Sequence, residues 1–297
     1  MKKKVFLFGL LFSLLLLSGC GVNLSSKIKL NKDFSGTRVM SCTFSSRDFH
    51  SYFKGSKEDL NKLIKESCPD ALTYTSSSSD GNDTYTFYLR FSSLDDYKKK
   101  VRDLLNFSPE ITYEYGDSPF VSGLIYKENF TSKDLMTWLY TALYEGKYID
   151  KDSSSDLWDL KSTEISFLGT TYETKDKINI DEMAYVPLSS IHIDTKTKKS
   201  GKLARVIEFD LPQQTLDQNA GKIRSYFAGN DITWENTSDG KTLCISFDAN
   251  NFSDLAQKTR TVLHSKNSFG TYSSTCSKDN PFTLKINYEE SLDLSHF

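Results

Sequence analysis

Thr84-Tyr85-Thr86-Phe87-Tyr88-Leu89-Arg90-Phe91 sets Tyr85, Phe87, Leu89 and Phe91 on one side of an extended chain and Thr86, Tyr88 and Arg90 on the other. Alternation of this kind in aromatic and β-branched surroundings is the pattern of a half-buried strand. Working outward, residues 76–82 are four serines followed by Asp80-Gly81-Asn82, a polar turn that joins this strand to another predicted over 71–75. On the C-terminal side a helix is predicted over 94–106, with Tyr97, Val101, Leu104 and Leu105 inward at helical spacing. A hairpin over 111–115 and 120–126 follows. Upstream, strands are predicted over 26–30 and 37–44 around a turn at 33–36. Ser56 opens a helix as N-cap, with Asp59 three residues on, and Pro69 stops it. The unit reads ββαββαββ.

The same order recurs. Leu24-Ser25-Ser26 returns as Leu188-Ser189-Ser190, Arg38-Val39 as Arg205-Val206, and Ser79-Asp80-Gly81 as Ser238-Asp239-Gly240. Lys100, Arg102 and Leu105 return as Lys258, Arg260 and Leu263. Ser118-Pro119-Phe120 with Tyr126 and Glu128 returns as Asn280-Pro281-Phe282 with Tyr288 and Glu290. The kept order and nearly constant offset point to an internal duplication. The fold class expected is α+β: two related ββαββαββ units, mostly antiparallel sheets with helices packed on one face. The first unit spans 20–130 and the second 188–297. Residues 131–187 form a connector, with a helix from Thr131 or Ser132 closed by Gly146 and an extra strand pair over 163–167 and 177–181. The connector helix carries an apolar stripe, Leu135, Trp138, Leu139, Ala142 and Leu143, which packs on a sheet or lines a ligand groove.

The N-terminus states a location. Lys2, Lys3 and Lys4 precede an apolar run over 5–17, and Leu17-Ser18-Gly19-Cys20 follows. Charged segment, apolar segment and small-residue cleavage site make a signal peptide over 1–19. The tetrad resembles the lipobox of bacterial lipoproteins. That resemblance implies cleavage between Gly19 and Cys20, diacylglycerol on the Cys20 sulfur, and further acylation such as palmitate. Two acyl chains on one cysteine meet the condition for stable anchoring. Loss of the three lysines takes the formal net charge from −2 to −5, and no extended basic face remains. Nucleic acid is therefore excluded as an expected partner.

Cys42, Cys68, Cys244 and Cys276 remain, an even number in a chain exported to an oxidising compartment. Three pairings are open. The unit boundaries favour Cys42–Cys68 and Cys244–Cys276, each closing a loop of about 30 residues and contributing roughly 3–4 kcal/mol.

Catalytic and cofactor motifs are missing from the sequence. His50, His192, His264 and His296 are scattered, and there is no nucleophile elbow, phosphate loop or metalloprotease helix. No cofactor, no metal and no catalytic residue is expected. Paired basic residues remain: Arg38 and Arg205 on the second strand of each unit, Arg102 and Arg260 on the second helix, a possible carboxylate- or phosphate-binding set.

The strand directly after Cys20, the Ser35-Gly36-Thr37 turn, a helix, a strand pair and a further helix are similar to the LppM-like lipoprotein domain of bacteria. The resemblance covers residues 20–128 and, through the repeat, 188–290. It implies a surface-exposed, non-enzymatic domain that contacts lipid or a cell-envelope partner. The expected function is a lipid-anchored, outward-facing binding or structural module whose partner is an envelope protein, a glycan or a lipid. A carrier of a small hydrophobic ligand and a hydrolase without a visible motif are the alternatives.

Overall fold

The structure is a computed structural model that describes residues 22–46, 53–150, 157–265, 269–276, 284–292, 294 and 297. Cys20 and the cleavage site lie outside these residues. The chain runs β1 (Val22–Leu30), β2 (Gly36–Ser45), α1 (Lys57–Ser67), β3 (Thr73–Ser79), β4 (Asn82–Phe91), α2 (Leu94–Leu105), β5 (Ile111–Asp117) and β6 (Val121–Glu128). A 3-10 turn (Asp134–Met136), α3 (Thr137–Glu145), β7 (Trp158–Phe167), β8 (Thr170–Thr174), β9 (Asn179–Asp181) and β10 (Ala184–Tyr185) follow. Then come β11 (Ser190–Thr197), β12 (Leu203–Pro212), α4 (Gln213–Tyr226), β13 (Ile232–Asn236), β14 (Gly240–Ala249), α5 (Phe252–Val262), β15 (Phe269–Cys276) and β16 (Leu284–Ser291). The fold is mixed α+β with sheets that are mainly antiparallel.

Contacts divide the chain into two units. One gathers the residues up to Glu114 with Ile125–Asp181; the other gathers Tyr115–Leu124 with Glu182–Phe297. The boundaries read from the sequence, after residues 130 and 187, cut across this division. Two packing facts cause it. β7 pairs with β1 in the first unit, and Phe120 and Val121 are buried in the core that holds Ile207, Phe209, Ile223 and Ile245.

In the first unit the sheet order is β3-β4-β2-β1-β7-β8. Alternation becomes burial through register. Ser26, Met40 and Phe87 form one row across β1, β2 and β4, and Ile28, Arg38 and Leu89 form the next. All six are at most 2 % exposed. β7 extends these rows with Thr163 and Ile165, running parallel to β1. In the second unit the order is β11-β12-β14-β13. Its rows are Ile193, Ile207 and Ile245, then Thr195, Arg205 and Phe247.

The helix ends follow the sequence. Ser56 and Asp59 form a capping box on α1. Ser93 caps α2 and Asn251 caps α5, each accepting from the backbone N–H three residues on. The turns follow it less closely. The serines of 76–79, read as a turn, belong to β3, because Asp80 and Gly81 alone make the turn, both with positive φ (52° and 75°). That is the two-residue geometry favoured by Asp-Gly. The similar Ser238-Asp239-Gly240 does something else. Gly240 lies so close to the chain that a Cβ there would stand 2.0 Å from the Leu211 carbonyl oxygen. The extra strands also differ from expectation. Residues 163–167 pair with β1 and β8, whereas 179–181 pair with β6.

The disulfide assignment is corrected. Cys42 and Cys68 are free thiols, as is Cys244. Cys42 faces inward on β2 opposite Tyr85 of β4. Cys68 caps α1 and leads into β3, which β4 separates from β2 by two strand spacings, about 10 Å. β14, which carries Cys244, has β12 and β13 as neighbours, while β15, which ends at Cys276, pairs with β16. The Cys276 side chain lies outside the described residues.

Candidate functional site

Alternation along β2 puts Arg38 on the inward face, between Ile28 and Leu89. A guanidinium there must be paired, because an isolated buried charge is costly. Its Nη1 donates to Glu128 Oε2 at 2.8 Å and to the Tyr97 hydroxyl at 2.7 Å, and its Nη2 donates to Ser132 Oγ at 2.7 Å. Tyr97 in turn donates to Glu128 Oε1 at 2.7 Å, and Tyr126 donates to the same oxygen. Ser132 and Thr163 share a hydrogen bond of 3.2 Å. The Arg38 and Glu128 side chains are 1 % and 0 % exposed. Burial works against the arginine charge, but Glu128 beside it, with Tyr97 and Tyr126, outweighs that and holds the proton more tightly. Burial, reinforced by Glu128, raises the Tyr97 and Tyr126 hydroxyls far beyond the usual phenol range. Two polar atoms of this interior, Arg38 Nε and Ser26 Oγ, have no partner.

The second unit holds a similar centre. Arg205 Nη1 donates to Glu290 Oε2 at 2.6 Å and to Thr259 Oγ1 at 2.7 Å, and its Nε donates to Thr195 Oγ1 at 3.0 Å. Its side chain is 3 % exposed and that of Glu290 is 9 % exposed. The anion-binding reading of Arg38 and Arg205 is thereby corrected. Each already holds a carboxylate of its own chain, in an interior that an outside anion does not reach. Arg102 and Arg260 are exposed on their helices, away from these centres. The lysines next to them have the defined roles. Lys100 donates to the Arg90 carbonyl at 2.8 Å and to Asp96, and Lys258 donates to the Asp248 carbonyl at 2.8 Å and to Asp254.

The ligand-sized space lies elsewhere, among α1, α2 and α3. A groove of about 670 Å³ opens there, with Leu63, Leu104, Phe107, Trp138 and Ala142 among its walls. Phe107 is 48 % exposed. The indole Nε1 of Trp138 is buried with no acceptor. Asp134 and Glu145 are the charged residues of the lining, and no basic residue joins them. Asp134 also accepts from the Thr131 N–H at 2.7 Å, which holds the turn before α3. The apolar stripe of the connector thus divides its work. Leu135, Leu139 and Leu143 are fully buried, while Trp138 and Ala142 face the groove. The sequence marked the stripe, but Phe107 carried no separate signal.

The second unit has a wider hollow of about 960 Å³ that includes Asp117, Ser118, Lys222 and Tyr226. Burial, with Asp117 nearby, pushes the Tyr226 hydroxyl up to about 12. Among the described residues no group of three or more His, Cys, Asp or Glu side chains is placed to hold a metal ion. His192 and His264 lie apart, and His50 and His296 fall outside the described residues. Also among the described residues, no helix is long and apolar enough to cross a membrane.

No protein-family model matches the chain, and no curated protein matches it at a significant level.

Proposed function

We propose that this chain is a lipid-anchored binding module of a bacterial envelope, built from a duplicated ββαββαββ unit, that takes an amphipathic ligand bearing a cationic group. The groove of the first unit carries the reading. Its apolar walls would cover the apolar part of the ligand, and its two carboxylates, Asp134 and Glu145, would face the cation. Clefts of a few hundred cubic ångströms with few placed polar groups are the usual form of such sites. A chain-length lipid fits less well, because Ser67, Thr137 and Thr141 interrupt the apolar lining. A short exported peptide segment with apolar residues around a lysine or arginine suits it better. Binding rather than catalysis is the role proposed.

The duplication is supported by contacts that recur at equivalent places. Arg38–Glu128 and Arg205–Glu290 are one such pair. Lys100 and Lys258, each reaching a strand-end carbonyl and the aspartate four residues back, are another. The anchor rests on Leu17-Ser18-Gly19-Cys20, and the LppM-like resemblance stands with it as part of the proposal.

Two measurements test the reading. Intact mass of the membrane fraction should give residues 20–297 plus acyl chains, with the Cys20→Ser chain unmodified and released; an unacylated wild-type chain refutes the anchor. Tryptophan fluorescence of the acylated chain in lipid nanodiscs should report saturable binding of an acetylated Leu-Lys-Leu-Phe peptide. The same peptide with Glu in place of Lys should bind at least fivefold more weakly. Trp138→Phe should remove the signal and Glu145→Gln should narrow the difference. Equal binding of both peptides, or a signal that survives Trp138→Phe, refutes the groove.

A further inference from the structure

The two units treat the same sheet edge differently. β1 has β2 on one side and β7 on the other. β11 has β12 on one side, and among the described residues no strand lies on the other. Register makes the two strands comparable position by position. Ile28 stands opposite Arg38, and Thr195 stands opposite Arg205. Leu24, Ser26, Ile28 and Leu30 are then the places of Ile191, Ile193, Thr195 and Thr197. The first four are at most 3 % exposed. Of the second four, Ile191 and Ile193 are half-buried and Thr195 and Thr197 are exposed. The row that β7 completes in the first unit is left unfinished in the second.

The first unit also shows which charges meet across that edge. Between β1 and β7, Lys27 pairs with Glu164 at 3.0 Å on the outward face. Asp194 occupies the place of Lys27 in β11, one residue before the Thr195–Arg205 position, with Lys196 as its exposed neighbour at 2.7 Å. The sign is reversed. A strand like β7 would set its glutamate against Asp194, whereas a strand with lysine or arginine at that position would meet an opposite charge. Cross-strand pairs of like charge destabilise pairing and opposite charges favour it.

We infer that the outer edge of β11, which no described strand covers, is a docking edge for an extended segment of another exported polypeptide. The segment adds in parallel, as β7 does to β1, with apolar residues beside Ile193 and Thr195 and a basic residue beside Asp194. Strand addition draws affinity from the backbone and specificity from alternate side chains. The opposing possibility is that Asp194 and Lys196 simply blunt an exposed edge, as charged residues do in many sheets. The inference rests on the equivalence of the two ββαββαββ units.

The probe is a fluorescein-labelled peptide of residues 158–167 with lysine in place of Glu164, and its control is the same peptide with glutamate kept. Anisotropy with the acylated chain in lipid nanodiscs should show saturable binding of the lysine peptide, at least fivefold tighter than the control. Asp194→Lys, a change at an exposed residue, should reverse that order, which also separates β11 from any exchange with β7 in the first unit. Absence of saturable binding, or binding that Asp194→Lys leaves unchanged, overturns the inference. So does sedimentation showing a dimer that Asp194→Lys dissociates, since the edge would then be filled by a second copy. Double-mutant cycles on Arg38–Glu128 and Arg205–Glu290 test the equivalence separately. Coupling in both without peptide binding sinks the edge alone; coupling in the first only sinks the equivalence.

Discussion

Arg38 and Arg205 occupy comparable positions in their sheets, yet the carboxylate that pairs with the first is more completely buried than the one that pairs with the second. Around Arg38, Glu128, Tyr97, Tyr126, Ser132 and Thr163 make a connected network with the charged partners at 1 % and 0 % exposure. Around Arg205, the Thr259 hydroxyl accepts from Nη1 but donates to the Leu255 carbonyl rather than to the glutamate, and Glu290 keeps 9 % exposure. The strand β7 accounts for part of this difference, since its Thr163 joins the first network and its backbone closes the sheet beside Ile28. The lesson is that a buried ion pair takes its energetic weight from what surrounds it. The more completely water is excluded, the more costly a broken pair becomes.

The sharpest way to break this comparison is Arg38→Leu. It strands Glu128 without a counter-charge, and unfolding in urea should show a loss of about 3–5 kcal/mol. Arg205→Leu should cost less, about 1–3 kcal/mol, because Glu290 can recover some hydration. Equal losses in the two variants would refute the ranking. The helix caps come next. Ser93→Ala and Asn251→Ala should each cost about 1 kcal/mol, by the same measurement.

Acid sharpens the same point. The backbone N–H of Ser92 holds the Asp96 carboxyl below its ordinary value of 3.8, and that of Asn250 does the same for Asp254. A depressed folded value means that the contribution is complete above about pH 4 and fades as pH falls through the lower, folded value. A urea series between pH 6 and pH 2 should therefore show stability flat at first and falling at the acid end. Asp96→Asn should flatten the fall in part. The smallest effect belongs to the surface. Lys27→Met removes the exposed pair with Glu164 and should change stability by less than about 0.5 kcal/mol.

Much of the local structure was legible because it is set by neighbours in the chain. Period-two alternation gave β4 and its inward row, and Ser56 with Asp59 marked the start of α1. The recurrence of Arg38 and Arg205, and of Glu128 and Glu290, was visible as residues. Their meaning was not, because a basic residue in an alternating strand looks the same whether its partner is an outside anion or a glutamate 90 positions away. The cysteines failed for a related reason. Which strands are adjacent is decided by pairing across long separations, and β4 stands between β2 and β3. Of the groove, the sequence disclosed the helix stripe. The wall supplied by Phe107 and Leu63 depends on how three helices meet.

Phe120 and Val121, on a hairpin that begins in the first unit, are buried in the core of the second. Gly123 fits there with φ of 119°, where a Cβ would lie 2.0 Å from the Glu182 carbonyl oxygen. This gives the chain a peculiar heredity. A gene fragment that begins at residue 188 encodes a core with its own plug left behind, and one that ends at residue 130 encodes a plug without its socket. Recombination can move the two units together, but neither travels well alone.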